Sequence, residues 1–157
     1  MPILIRCFQL NDFFLFGEST NIYPDIDKIL TIEALKNKVV YVDIWGTRCR
    51  SCLREFQYVS KIQQKYHKDT SIVFLYLCSP YTTNWDANNA KRWREQVYQH
   101  DLKGMHLLIS AECYENEFFN KYKSRIKPEN MFMIPTYLLV NKKGEIVNFN
   151  AAKPSNQ

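Results

Sequence analysis

Apolar positions recur along this chain at two alternating spacings. Val39-Val40-Tyr41-Val42-Asp43-Ile44-Trp45 is a strand-length run, rich in β-branched residues and broken by one charge, Asp43. Leu53, Phe56, Val59 and Ile62 then repeat at threes, which predicts a helix over roughly 51–66. Ile72–Cys78 is almost continuously apolar, as expected of a strand covered on both faces. Ala90, Trp93 and Val97 share one face of a predicted helix over roughly 86–100. A short strand, Leu107–Ile109, comes next, and Phe118, Phe119 and Tyr122 mark a helix over roughly 113–123. Beyond Pro128 and Pro135 the pattern predicts strand Thr136–Val140, a turn at Asn141-Lys142-Lys143-Gly144, and strand Glu145–Phe149.

Residues 1–38 read differently. Their apolar pieces, Ile3–Ile5 and Phe13–Phe16, are separated by turn-formers such as Asn11-Asp12, Gly17 and Pro24-Asp25. This is an irregular lead-in, with at most a helical turn at Thr31–Leu35 before the first central strand. The order β-α-β-α-(β)-α-β-β predicts an α/β protein with a mixed sheet. Its early strands should run parallel through right-handed crossovers, and its last two should form an antiparallel hairpin. Without repeats, low-complexity segments or linkers, residues 1–157 are expected to form a single domain, with lead-in 1–38 and core 39–150.

Composition narrows the classes. An apolar fraction of 46% and an aromatic fraction of 15% suit a packed core rather than a disordered chain. Lys and Arg number 21 against 16 Asp and Glu, a net +5, but no basic run is long enough to predict nucleic-acid binding. No stretch of about 18 apolar residues predicts a membrane span. The start, Met1-Pro2-Ile3-Leu4-Ile5-Arg6-Cys7-Phe8, carries no export-signal pattern. Five cysteines are an odd set, and Cys7, Cys78 and Cys113 share no spacing. Cys78 closes an apolar strand and reads as a small buried hydrophobe.

Cys49 and Cys52 are the exception. They sit two residues apart, just past the carboxyl end of the first strong strand and at the start of the first helix. In an open α/β sheet that is where active sites form. A thiol at a helix N-terminus faces unpaired N–H groups and the positive end of the helix dipole, and both stabilise thiolate over thiol. A second thiol three positions on can close a disulfide or break a mixed one. The pair therefore reads as a dithiol–disulfide redox site. Asp43, in an otherwise apolar strand, needs a reason to be buried; a proton acceptor with raised pKa beside Cys52 is one.

The segment Val42-Asp43-Ile44-Trp45-Gly46-Thr47-Arg48-Cys49-Arg50-Ser51-Cys52-Leu53-Arg54-Glu55-Phe56 resembles the active-site segment of thioredoxin-like proteins, most closely the TlpA/ResA branch. Ile134-Pro135-Thr136-Tyr137-Leu138-Leu139-Val140 resembles that family's strand opening with a cis-proline, and Lys142–Val147 its closing hairpin. The helix–strand stretch between Cys52 and Pro135 is similar to the insertion of that branch. The resemblance implies a thioredoxin fold and a thiol–disulfide oxidoreductase. Cys49 would be the exposed attacking thiolate, Cys52 the buried resolving thiol and Asp43 its proton acceptor. Trp45, Ile134 and Pro135 would meet the substrate, with the Ile134 backbone pairing to an extended segment. It also implies protein thiol or disulfide substrates, a separate electron donor, no bound cofactor or metal, and work in the bacterial envelope.

Some positions depart from the family pattern. Arg50-Ser51 lies between the cysteines where relatives often have a proline, Arg48 stands where Trp is common, and Gln57 where a helix-kinking Pro is common. Arg48, Arg50 and Arg54 would lower the Cys49 pKa and favour acidic or neutral substrate segments. The family's last helix is expected to be missing, since Ala151–Gln157 ends the chain after the hairpin, and the lead-in would then have to cover the exposed face. Other readings fit less of the pattern. His67, His100, His106, Cys78 and Cys113 show no zinc-ligand spacing. A peroxiredoxin-like Thr three residues before the first cysteine is Gly46 here. The main alternative is a redox-inactive binding module that keeps the fold.

Overall fold

The computed structural model describes residues 14–17, 22–23, 26–79, 87–109 and 134–157. The predicted helix over 113–123, and Cys7 and Cys113, lie outside the described residues. The elements are β1 (Phe14–Phe16), β2 (Ile22–Tyr23), α1 (Ile26–Leu30), a 3-10 turn (Glu33–Leu35), β3 (Val39–Trp45), α2 (Arg50–Tyr66), β4 (Ile72–Cys78), α3 (Ala87–Gln99), β5 (Gly104–Ile109), β6 (Thr136–Val140), β7 (Ile146–Asn148) and a 3-10 turn (Pro154–Asn156). All strands join one mixed sheet in the order β1-β5-β4-β3-β6-β7, with β2 also paired to β5. β3, β4 and β5 run parallel, while β6 pairs antiparallel with both β3 and β7. This is the arrangement of a thioredoxin fold, with α3 and β5 as the element inserted between the CxxC helix and the cis-proline strand.

β3 and β4 are strands because each is an apolar run rich in bulky and β-branched residues, with a layer over each face. Successive side chains on β3 go to opposite layers. Val40, Val42 and Ile44 enter one core with Leu75, Leu77, Leu107 and Leu138, which Ile26 and Ile29 of α1, Leu35 and Phe149 cover. Trp45 enters the other with Phe74, Tyr76 and Cys78, beneath Phe56, Val59 and Ile62 of α2 and Trp93 and Val97 of α3.

The lead-in is more ordered than its pattern predicts. β1 and β2 are added to β5, and α1 buries Ile26 and Ile29. Elements of two to five residues carry too little periodicity to be read locally; pairing and burial form them. β5 begins at Gly104, three residues earlier than expected, at a φ of 137° that glycine adopts freely. The buried line of α2 runs through Cys52, Phe56, Val59, Ile62 and Gln63, so of the predicted face only Leu53 is half-buried rather than buried. At the hairpin, Asn141 Oδ1 accepts the N–H groups of Lys143 (2.9 Å) and Glu145 (3.0 Å), and Gly144 takes a φ of 81°. After β7 the chain turns back onto α2 through the 3-10 turn, whose Pro154 is buried.

Candidate active site

The cysteine pair caps α2. Cys49 is the N-cap residue, its N–H donates to the carbonyl of Gly46 at 3.0 Å, and its Sγ accepts the N–H of Cys52 at 3.1 Å. The two are joined as a disulfide. Cys52 is wholly buried, and Cys49 retains 5% exposure. Cys49 is thus less open than the exposed thiol the sequence predicts. Ser51 Oγ lies 3.2 Å from its sulfur and the Ile134 carbonyl oxygen 3.5 Å. Cys49 remains the more accessible sulfur of the pair.

The Ile134–Pro135 peptide is cis, immediately before β6, and Ile134 packs against both cores. This brings the Ile134 carbonyl to the disulfide across a sequence separation of 85 residues. Ser51 Oγ also points to that carbonyl, at 3.4 Å.

Asp43 is buried at 1% exposure, and neither carboxylate oxygen has a hydrogen-bond partner among the described residues. The sheet register sets Tyr76 beside it on β4 and Tyr137 opposite it on β6. Burial pushes its carboxyl well above the ordinary range, and the charge of Glu55 adds to the rise. Burial first, and then Asp43 itself, raise the phenols of Tyr41, Tyr76 and Tyr137. Tyr41 Oη donates to the carbonyl of Ala152 at 2.8 Å, and Tyr76 Oη accepts from Gln63 Nε2 at 3.1 Å. Cys52 and Asp43 therefore share the buried space between α2 and the sheet.

Trp45 is wholly buried too, edge-on to Phe56 with ring centroids 5.0 Å apart. It belongs to the same buried cluster as Cys49 and Cys52. Arg48, Arg50 and Arg54 are exposed around the helix start. A cleft of about 440 Å³ opens beside the disulfide, lined by Ser51, Arg54 and Glu55 of α2, by Ile134 and Pro135, and by the segment Asn150–Lys153.

Two groups lay outside the sequence-based site. Glu55 is bound by the C-terminal turn: its oxygens accept from the Ser155 N–H at 3.0 Å and Ser155 Oγ at 3.2 Å, and Lys153 Nζ lies at 3.6 Å. No local pattern links residues about 100 positions apart. His106 is wholly buried, stacked on Tyr76 with centroids 4.7 Å apart, and its Nε2 lies 2.6 Å from the Leu102 carbonyl. Burial pushes its pKa down to about 3. Its place inside the apolar run Met105–Ile109 was the available signal. Cys78 is a free, buried thiol raised by desolvation. Among the described residues no cluster of three or more His, Cys, Asp or Glu could hold a metal ion.

Comparison with known proteins agrees with this geometry. The Redoxin family matches residues 24–156. A protein from Bacteroides vulgatus, described as a thiol-disulfide oxidoreductase, is 29% identical with a TM-score of 0.54, over 77% of this chain and 68% of that one. A thiol-disulfide oxidoreductase from Bacteroides fragilis shares the fold at 14% identity and a TM-score of 0.58, over 78% of each chain. A thiol:disulfide interchange protein of the thioredoxin family from Chlorobium tepidum does so at 17% and 0.55, over 78% of this chain and 77% of that one. No curated protein sequence matches the chain.

Proposed function

The chain belongs to the Redoxin family, and from that premise we propose that it is a thiol–disulfide oxidoreductase that reduces disulfides in protein substrates through Cys49 and Cys52. The observation that carries this reading is the disulfide-bonded pair at the N-terminus of α2. In the reduced protein the Cys49 thiolate attacks one sulfur of a substrate disulfide. A mixed disulfide forms and the first substrate thiolate leaves. Cys52 then gives its proton to Asp43 and attacks Cys49 Sγ. The second substrate thiolate leaves, and the two electrons gained by the substrate come from the protein dithiol, which ends as the Cys49–Cys52 disulfide. A separate dithiol donor must return the protein to its reduced form.

Each further role has a physical basis. The unpaired N–H groups and dipole at the α2 start favour a thiolate at Cys49. Burial raises the Asp43 carboxyl, which makes its ionised form a stronger proton acceptor for a thiol than an ordinary carboxylate. The cleft beside Ile134 and Pro135 suits an extended segment of a protein substrate, and Arg48, Arg50 and Arg54 favour an acidic or neutral one.

Trapping tests the reading. Cys52→Ser should leave Cys49 able to attack but unable to be released, so a disulfide-containing peptide should accumulate on Cys49 as a mixed disulfide. Cys49→Ser should abolish the adduct. Equal absence of adduct in both variants would favour a binding module that retains the fold without turnover.

A further inference from the structure

The turn Pro154–Asn156 and the segment before it are attached to the site at several points. Ala151 N–H donates to the Tyr137 carbonyl at 3.1 Å, and Tyr41 Oη donates to the Ala152 carbonyl at 2.8 Å. Those contacts pin the segment to β6 and β3, the strands that carry Tyr137 and Asp43. Pro154 is buried at the first position of the 3-10 turn, where its fixed φ suits the turn. From there Ser155 offers two donors and Lys153 a cation to one group, the carboxylate of Glu55. Glu55 stands three positions after Cys52 on α2, and its side chain keeps only 13% exposure although it borders the cleft.

We propose that the turn Pro154–Asn156, with Lys153, is a positioning element of the redox site: Ser155 and Lys153 hold the Glu55 carboxylate where its charge bears on Asp43. The proposal rests on the reading of Asp43 as proton acceptor for Cys52. A glutamate on a helix surface samples several rotamers and normally points to water. Three contacts from a separate segment remove that freedom, and two of them are charge-assisted hydrogen bonds. The charged and titratable groups that act with Asp43 are Tyr41 from its own strand, Tyr76 from β4, Tyr137 from β6 and Glu55 from α2. Those facing Glu55 are Lys153 and Ser155, with Arg54 exposed next to it. The charge of Glu55 acts on Asp43, and like charges oppose each other's ionisation. Released from the turn, Glu55 swings toward water and its effect on Asp43 weakens. Asp43 then ionises at lower pH, and proton transfer from Cys52 extends to lower pH.

The test uses the full chain in its reduced form with an aromatic disulfide whose two thiolates leave in sequence and absorb visible light. Release of the second thiolate reports the attack by Cys52. Ser155→Ala and Lys153→Gln should each move the pH profile of that second release toward acid. Either should raise the rate on the acid limb on the order of twofold, leaving the first release unchanged. Ser155→Thr, which keeps the hydroxyl, should restore the profile. Glu55→Gln should shift it in the same direction, and Ser155→Ala added to Glu55→Gln should shift it no further. Profiles that overlay the wild type in both turn variants, or a Ser155→Ala shift that persists in full beside Glu55→Gln, would overturn the proposal. If Asp43→Asn leaves the second release unchanged across pH, the proton-acceptor reading fails instead, and the turn's role in it fails with it.

Discussion

Replacing Asp43 with asparagine should change how stability depends on pH, by an amount that follows from burial. The folded protein keeps the Asp43 proton to a pH well above the ordinary value of 3.8, because burial would desolvate the carboxylate and the charge of Glu55 opposes its ionisation. The unfolded chain releases it near that ordinary value. Between the two points the folded state holds one proton more, so Asp43 makes stability fall as pH rises, by about 1.4 kcal/mol per pH unit. His106 acts with the opposite sign. Its imidazole is neutral when folded down to about pH 3 but charges near 6.5 when unfolded, so stability falls as pH drops through that interval. In the wild type the two slopes oppose each other where they overlap. The asparagine side chain is neutral in both states, so the substitution removes one of them. The unfolding free energy of Asp43→Asn minus that of the wild type should therefore rise with pH, by up to about 1.4 kcal/mol per unit, for as long as the folded wild type keeps the proton. Urea unfolding of the disulfide form, followed by far-UV circular dichroism at three or four pH values between about 4.5 and 6.5, measures it directly. A gap that stays constant over that range would refute the argument that Asp43 is buried with its proton.

Other consequences follow from single positions. His106→Gln should flatten the loss of stability on acidification below pH 6.5, where the wild-type unfolded chain takes up a proton, as the same urea experiment would show. Gly104→Ala would set a Cβ 2.5 Å from the Phe74 carbonyl oxygen at a φ of 137°, so its urea midpoint should fall by the equivalent of more than about 1 kcal/mol. Phe56→Ala removes the ring packed edge-on to Trp45 under the disulfide and should cost about 3–5 kcal/mol by the same measure, with altered Trp fluorescence.

How much of this was legible in the sequence differs by element. β3, α2, β4, α3 and β6 are long enough for their periodicity to speak, and the Cys49–Cys52 spacing at a strand–helix junction located the chemistry. Asp43 stood out because a charge interrupts an apolar strand. β1, β2 and α1 were missed because pairing with β5 and the burial of two isoleucines, rather than local pattern, form them. The Ile134 carbonyl beside Cys49 comes from a residue remote in the chain. The binding of Glu55 by Ser155 and Lys153 joins segments about 100 residues apart.

The most direct test of the central claim is a redox titration of Cys49 and Cys52 in dithiothreitol and glutathione buffers, read by mass spectrometry of alkylated peptides. Both cysteines should titrate together as one reversible two-electron couple. A reductase should place that couple near the thioredoxin end of the scale, at about −270 mV. A couple near about −120 mV would contradict the reductase direction, since that value belongs to strong oxidants. Cysteines that never form a reversible disulfide would contradict the oxidoreductase itself.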